Sequence, residues 1–128
     1  MDATLEWKTL KGSRILVCTG GPKDTEDEGF ALREMVLKEM KEAREKNVNF
    51  LLDLRNSAYH AKVTAAWKED SKLHELKIRR AAVLLKSSLM ATVVSAYMTY
   101  ARFRGSSIPD RTKVCKEESE AFEWLCGS

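Results

Sequence analysis

A chain of 128 residues, 44% hydrophobic and 32% charged, has the composition of one folded domain with a core of ordinary size and not that of a disordered protein. A net charge of +3, with 22 basic residues interleaved with 19 acidic ones, lacks the strong basic excess of an obligate nucleic-acid binder. Three cysteines, Cys18, Cys115 and Cys126, cannot all pair and none stands in a CxxC spacing, which argues for a reducing compartment and against a metal site.

The first residues, MDATLEWK, carry an acid at once and no apolar h-region, so no signal peptide is expected. The most apolar stretch, residues 81–103, is interrupted by Lys86, Ser87 and Ser88 and offers no continuous membrane span. The chain reads as a soluble cytoplasmic protein.

Residues 4–8 and 14–19 flank Leu10-Lys11-Gly12-Ser13. Leu5 and Trp7 alternate with polar neighbours, which predicts an antiparallel hairpin turning at Gly12. Gly20-Gly21-Pro22 stops its second strand. Thr25-Glu26-Asp27-Glu28 has capping-box spacing, and its acids suit the positive end of a helix. The helix expected over about 26–46 places Leu32, Val36, Met40 and Ala43 on one face, widened by Phe30, Met35 and Leu37. In the following NFLLDLR, Phe50, Leu51 and Leu52 run without alternation, as in a strand covered on both faces.

A helix is expected at about 63–76, with Ala66, Leu73 and Leu76 near one face, and a strand at 78–85. Ser87 or Ser88 caps a helix over about 89–104, which Gly105 closes. After a loop containing Pro109 come a short strand at 112–116 and a last helix at 117–125. The order ββαβαβαβα predicts an α/β fold in one domain spanning residues 1–128. Its core is a single mixed, mostly parallel five-stranded sheet with helices packed on it, the first hairpin strand antiparallel at an edge.

Three stretches carry a family resemblance: the buried strand ending Asp53-Leu54-Arg55, the strand RRAAVLL at 79–85, and KVCKEESEAFEWL at 113–125. In element order and spacing the chain resembles the SpoIIAA-like branch of the STAS superfamily (sulphate transporter and anti-sigma-factor antagonist domains), related in fold to lipid-binding Sec14-like domains. The resemblance implies the strand order of a mixed sheet flanked by helices and a domain without an established catalytic role. Antagonists of this superfamily are switched by phosphorylation of a serine in a motif like Asp-Ser-Ser-Gly after the central strand. No such tetrapeptide occurs here, and by spacing from Asp53 the serine pair would fall near Lys62 and Val63. Thr64 and then Ser57 are the nearest hydroxyls, and so the phosphorylation candidates.

In open α/β sheets, ligands sit beyond the carboxyl ends of the parallel strands. Those ends supply Gly20-Gly21, then Asn56, Ser57, Tyr59 and His60, then Lys86, Ser87 and Ser88. The last group opens a helix, where free amides and Lys86 favour an anion; a plain serine N-cap explains it as well. His60 with Asp53 as orienting carboxylate suggests acid-base chemistry, but Asp53 and Arg55 satisfying each other is the simpler account, and no catalytic constellation emerges. No cofactor is implied. Arg102, Arg104, Arg111, Lys113 and Lys116 make the last third basic beside Tyr100 and Phe103, either a solvated face or a patch for phosphates or anionic lipid heads.

The helix over 89–103 leaves little polar face, so Met90, Val94, Tyr97, Tyr100 and Phe103 form a candidate interaction surface. Two functions follow. One is a non-enzymatic STAS-like regulatory or protein-interaction module, with a protein partner or a second copy on that helix. The other is a carrier or sensor holding a small apolar or lipid-like ligand between that helix and the sheet.

Overall fold

Strand β1 (Thr4–Leu10) returns as β2 (Ser13–Thr19) through Lys11 and Gly12 alone. Both turn residues have positive φ, 52° and 80°, the geometry that matches a two-residue turn to the twist of its strands. The computed structural model describes residues 3–22, 25–55, 77–103, 105 and 107–127, and not the side chain of Met90. The helix expected at 63–76 lies outside the described residues.

The remaining described elements are α1 (Glu26–Glu42), β3 (Val48–Asp53), β4 (Ile78–Leu84), α2 (Ser88–Phe103), a 3-10 turn (Ile108–Arg111), β5 (Thr112–Cys115) and α3 (Glu118–Cys126). The five strands form one sheet in chain order, β1 antiparallel to β2 and every later pair parallel. This is the mixed, mostly parallel α/β sheet that the hydrophobic runs predict. Central β3 buries Val48, Asn49, Phe50 and Leu51 in succession, as a strand covered on both faces must.

Laying parallel strands side by side in chain order through right-handed crossovers sends each connecting helix to the same face. Accordingly, Leu32, Val36 and Met40 of α1 pack with Leu16, Cys18, Phe50 and Ala81. On that face α2 sets Val94 against Val83 and Leu85, with Ala91, Met98 and Val114 alongside. The opposite face carries Ile15, Val17, Leu51, Ala82, Leu84 and Cys115, and α3 covers it with Ala121 and Leu125.

Helix α1 starts as its capping signal predicts: the Glu28 amide donates to Thr25 Oγ1 at 3.1 Å. Glu28 Oε1 does not complete the box; it is buried without a partner. The helix ends at Glu42, short of the expected Lys46, because residues 43–47 are drawn out toward β3. Lys77 Nζ donates to the carbonyls of Ala43 and Glu45 at 3.3 and 3.0 Å, and Arg14 holds the Glu45 carboxylate at 2.9 Å.

One irregularity shapes the far end of the molecule. Val48 pairs with Ile78 but Asn49 pairs with Arg80, so Arg79 is the extra residue of a bulge in β4. Consecutive arginines therefore reach the same place. Arg79 Nη1 donates to the Leu125 carbonyl and to Asn49 Oδ1, both at 3.0 Å, and its Nη2 donates to the Gly127 carbonyl. Arg80 Nη1 donates to the Trp124 carbonyl at 2.8 Å. Two cations thus occupy the carbonyl end of α3, where unpaired carbonyls and the helix dipole favour positive charge.

Candidate functional site

The carboxyl ends of the parallel strands are stitched together beyond the strands themselves. Gly20 N–H donates to the Asp53 carbonyl, Leu54 N–H to Leu84 and Leu85 N–H to Cys115, at 2.9, 2.9 and 3.0 Å. On this rim Arg55 grips Asp53 with Nε at 3.0 Å from Oδ1 and Nη2 at 2.8 Å from Oδ2, while its own amide donates to Oδ1 at 3.1 Å. The Arg55 hydrogen bonds hold the Asp53 carboxyl below its ordinary value, outweighing partial desolvation. Arg55 Nη2 also lies 3.5 Å from Glu118 Oε2, tying the end of β3 to the first turn of α3. Asp53 is an ion-pair partner, and its carboxylate is already occupied by three donors.

Ser87 is the residue that caps α2. Its Oγ accepts the Leu89 amide at 3.1 Å and its carbonyl accepts the Ala91 amide at 3.1 Å. Lys86, Ser87 and Ser88 are exposed at this rim beside the end of β4. Asn56, Ser57, Tyr59, His60 and Thr64 lie outside the described residues. Among the described residues, no three of His, Cys, Asp and Glu come together as a metal-binding group.

The candidate surface on α2 divides. Val94 is 9% exposed and belongs to the core, which corrects its place on a surface; Tyr97 and Tyr100 are half-buried. Phe103 is 90% exposed, and Leu89, at the other end of the helix, is 60% exposed. Between them Thr92, Ser95, Ala96 and Thr99 face solvent, so the helix has a hydroxyl stripe where a nearly all-apolar surface was expected. Within it Thr92 and Thr99 turn their hydroxyls onto the carbonyls of Ser88 and Ser95, at 3.1 and 3.0 Å.

The basic stretch is partly committed within the chain. Arg102 Nε pairs with Asp110 Oδ1 at 3.2 Å, and Arg111 donates to the Ile78 carbonyl and to Ser107 Oγ. Lys113 and Lys116 are exposed, and Arg104 lies outside the described residues. Sequence reasoning missed the reach of Arg55 to Glu118 and of Arg79 and Arg80 to α3. The only local signal was an arginine pair in a strand otherwise apolar.

No family model matches the chain, and no curated protein matches it significantly in sequence. Among solved structures it is similar to a DUF3478-family protein from Shewanella loihica PV-4 with a SpoIIAA-like fold. The superposition has a TM-score of 0.63 and covers 97% of this chain and 94% of the other, at 13% identity. No described helix is long and apolar enough to cross a membrane. At that identity the likeness is one of architecture, and it agrees with the resemblance carried by the strands at 49–55 and 79–85: this chain has the SpoIIAA-like fold.

Proposed function

We propose that this chain is a non-enzymatic, STAS-like regulatory module that works by docking a protein partner on the outer face of α2. The observation that carries the reading is Phe103, a large aromatic side chain 90% exposed at one end of that helix. Leu89 is exposed at the other end, and Thr92, Ser95, Ala96 and Thr99 between them are small enough for close approach. The rim of the sheet supports the same reading, since Asp53 is neutralised by Arg55 and unavailable to activate a base. The carrier reading gains no such support: Ala91, Val94 and Met98 pack directly on Val83, Leu85 and Val114, filling the space an apolar ligand would need.

A photo-crosslinking amino acid at position 103 tests the proposal in cells of the source organism. The expected result is a discrete protein adduct that disappears when Ala96→Arg is added. Absence of any protein adduct, or an adduct indifferent to Ala96→Arg, would show that this face docks nothing.

A further inference from the structure

Strand β1 ends the sheet, with β2 on one side and Thr4, Glu6, Lys8 and Thr9 exposed. Leu10 and Ser13 flank a two-residue turn, and such flanking residues exchange both backbone hydrogen bonds. From that fixed point the pattern alternates. Leu10, Lys8, Glu6 and Thr4 direct their amides and carbonyls at β2, whereas Thr9, Trp7 and Leu5 direct theirs outward. An exposed edge of this kind is a template for another strand.

Its side chains select which strand. Read outward from Trp7, TLEWKTL places Glu6 on one side and Lys8 on the other. If two copies meet antiparallel about a two-fold axis at Trp7, the pairs are Trp7 with Trp7, Leu5 with Thr9, and Glu6 with Lys8. The first two kinds fall on outward-facing residues, so they form the hydrogen-bonded pairs. Glu6 and Lys8 fall on the non-hydrogen-bonded positions, where side chains lie closest and opposite charges attract.

Glu6 and Lys8 already pair within one strand, at 3.6 Å, on the face opposite Trp7. Joining two strands would therefore set four charges in alternating sign. A two-fold contact must be complementary to itself, and this edge is. We propose that the chain forms a homodimer by antiparallel pairing of β1 with β1 of a second copy, giving one continuous sheet. The proposal goes beyond the docking role of α2 and uses none of its residues, so either can fail without the other.

Sedimentation velocity over a concentration series at low salt tests it, with thermal melting to confirm that each variant folds. Wild-type protein is expected to dimerise. Lys8→Glu or Glu6→Lys alone should raise the dimer dissociation constant about tenfold or more, because two attractions become two repulsions. The double variant Glu6→Lys/Lys8→Glu restores every pair and should restore the dimer. Mixing the two single variants should yield a heterodimer, since an all-lysine edge then meets an all-glutamate one. Thr9→Pro removes an outward amide that β2 does not use and should abolish pairing while the monomer stays folded. A wild-type monomer at every concentration up to about 1 mM would overturn the proposal. So would a dimer indifferent to the single reversals, or a folded double reversal that stays monomeric.

Discussion

Arg80 stacks on Trp124 and caps it at once: its guanidinium carbon lies 4.4 Å from the indole centroid while Nη1 donates to the Trp124 carbonyl at 2.8 Å. Trp124 answers by donating Nε1–H to the Ala81 carbonyl at 2.9 Å, so strand β4 and helix α3 are fastened from both sides. Arg80→Ala should lower stability by about 1–3 kcal/mol, the range for a hydrogen bond from a charged donor with a cation–π contact added. A Cβ on Gly127 would sit 2.7 Å from Arg80 Nη1. Gly127→Ala can be accommodated by a shift of the Arg80 guanidinium, so it should cost no more than the Arg80 contact it displaces and nothing further in Arg80→Ala, a coupling that urea denaturation of the four-variant cycle would read.

The Asp53–Arg55 pair makes stability pH-dependent in one direction. Because Arg55 lowers the carboxyl's proton affinity in the folded chain, the unfolded chain binds that proton more readily. The contribution is complete above the unfolded value of about 3.9 and fades as pH falls through the lower folded value. Asp53→Asn should cost about 1–3 kcal/mol near neutrality, and the gap from wild type should close in strongly acidic solution. Denaturant midpoints measured across acidic and neutral pH check this; a gap that stays constant would refute it.

The β1–β2 turn predicts substitutions of opposite sign. Gly12 has φ 80°, and a Cβ there would meet nothing within 4 Å, so Gly12→Ala costs through backbone strain alone, about 1 kcal/mol. Lys11, at φ 52°, is a side-chain-bearing residue in a conformation that asparagine tolerates better. Lys11→Asn should stabilise by roughly 0.5 kcal/mol, read as a rise in melting temperature.

The cysteines should differ in reactivity. All three are free thiols. Burial pushes Cys18 up to about 12, and burial with a hydrogen bond involving Glu120 pushes Cys115 up to about 11. Cys126 is half-buried at the end of α3. A thiol reagent at mildly alkaline pH should label Cys126 first and the other two only on unfolding. Cys126→Ser should remove the fast phase.

Which features can be read from the chain depends on how local their causes are. Strands β3 and β4 show in sequence because a strand covered on both faces has no polar side to interrupt it, as Phe50–Leu52 and Ala81–Leu85 demonstrate. The Ser87 cap and the Gly105 close of α2 are equally local, the latter with φ 88°. The bulge at Arg79 is not, because an extra residue exists only relative to a partner's register. Asp53 and Arg55 are two residues apart and could be paired on paper; Glu118, 63 residues farther along, could not. The hydroxyl stripe of α2 stands in the sequence as Thr92, Ser95 and Thr99 at helical spacing; counting the apolar residues of the segment without placing them round the helix hid it.

The two faces of the sheet are completed at different times. Among the described residues, α3 alone packs on Ile15, Val17, Leu51, Ala82 and Leu84, and it follows all five strands in the chain. A chain made from its amino end lays down both sheet and opposite layer while this face is still wet. Nascent chains halted before residue 118, or products cut there, carry an adhesive slab ready to aggregate. The contacts of Arg79 and Arg80 with the end of α3 can form only after that helix has been made, so the strand that carries the two arginines waits for them.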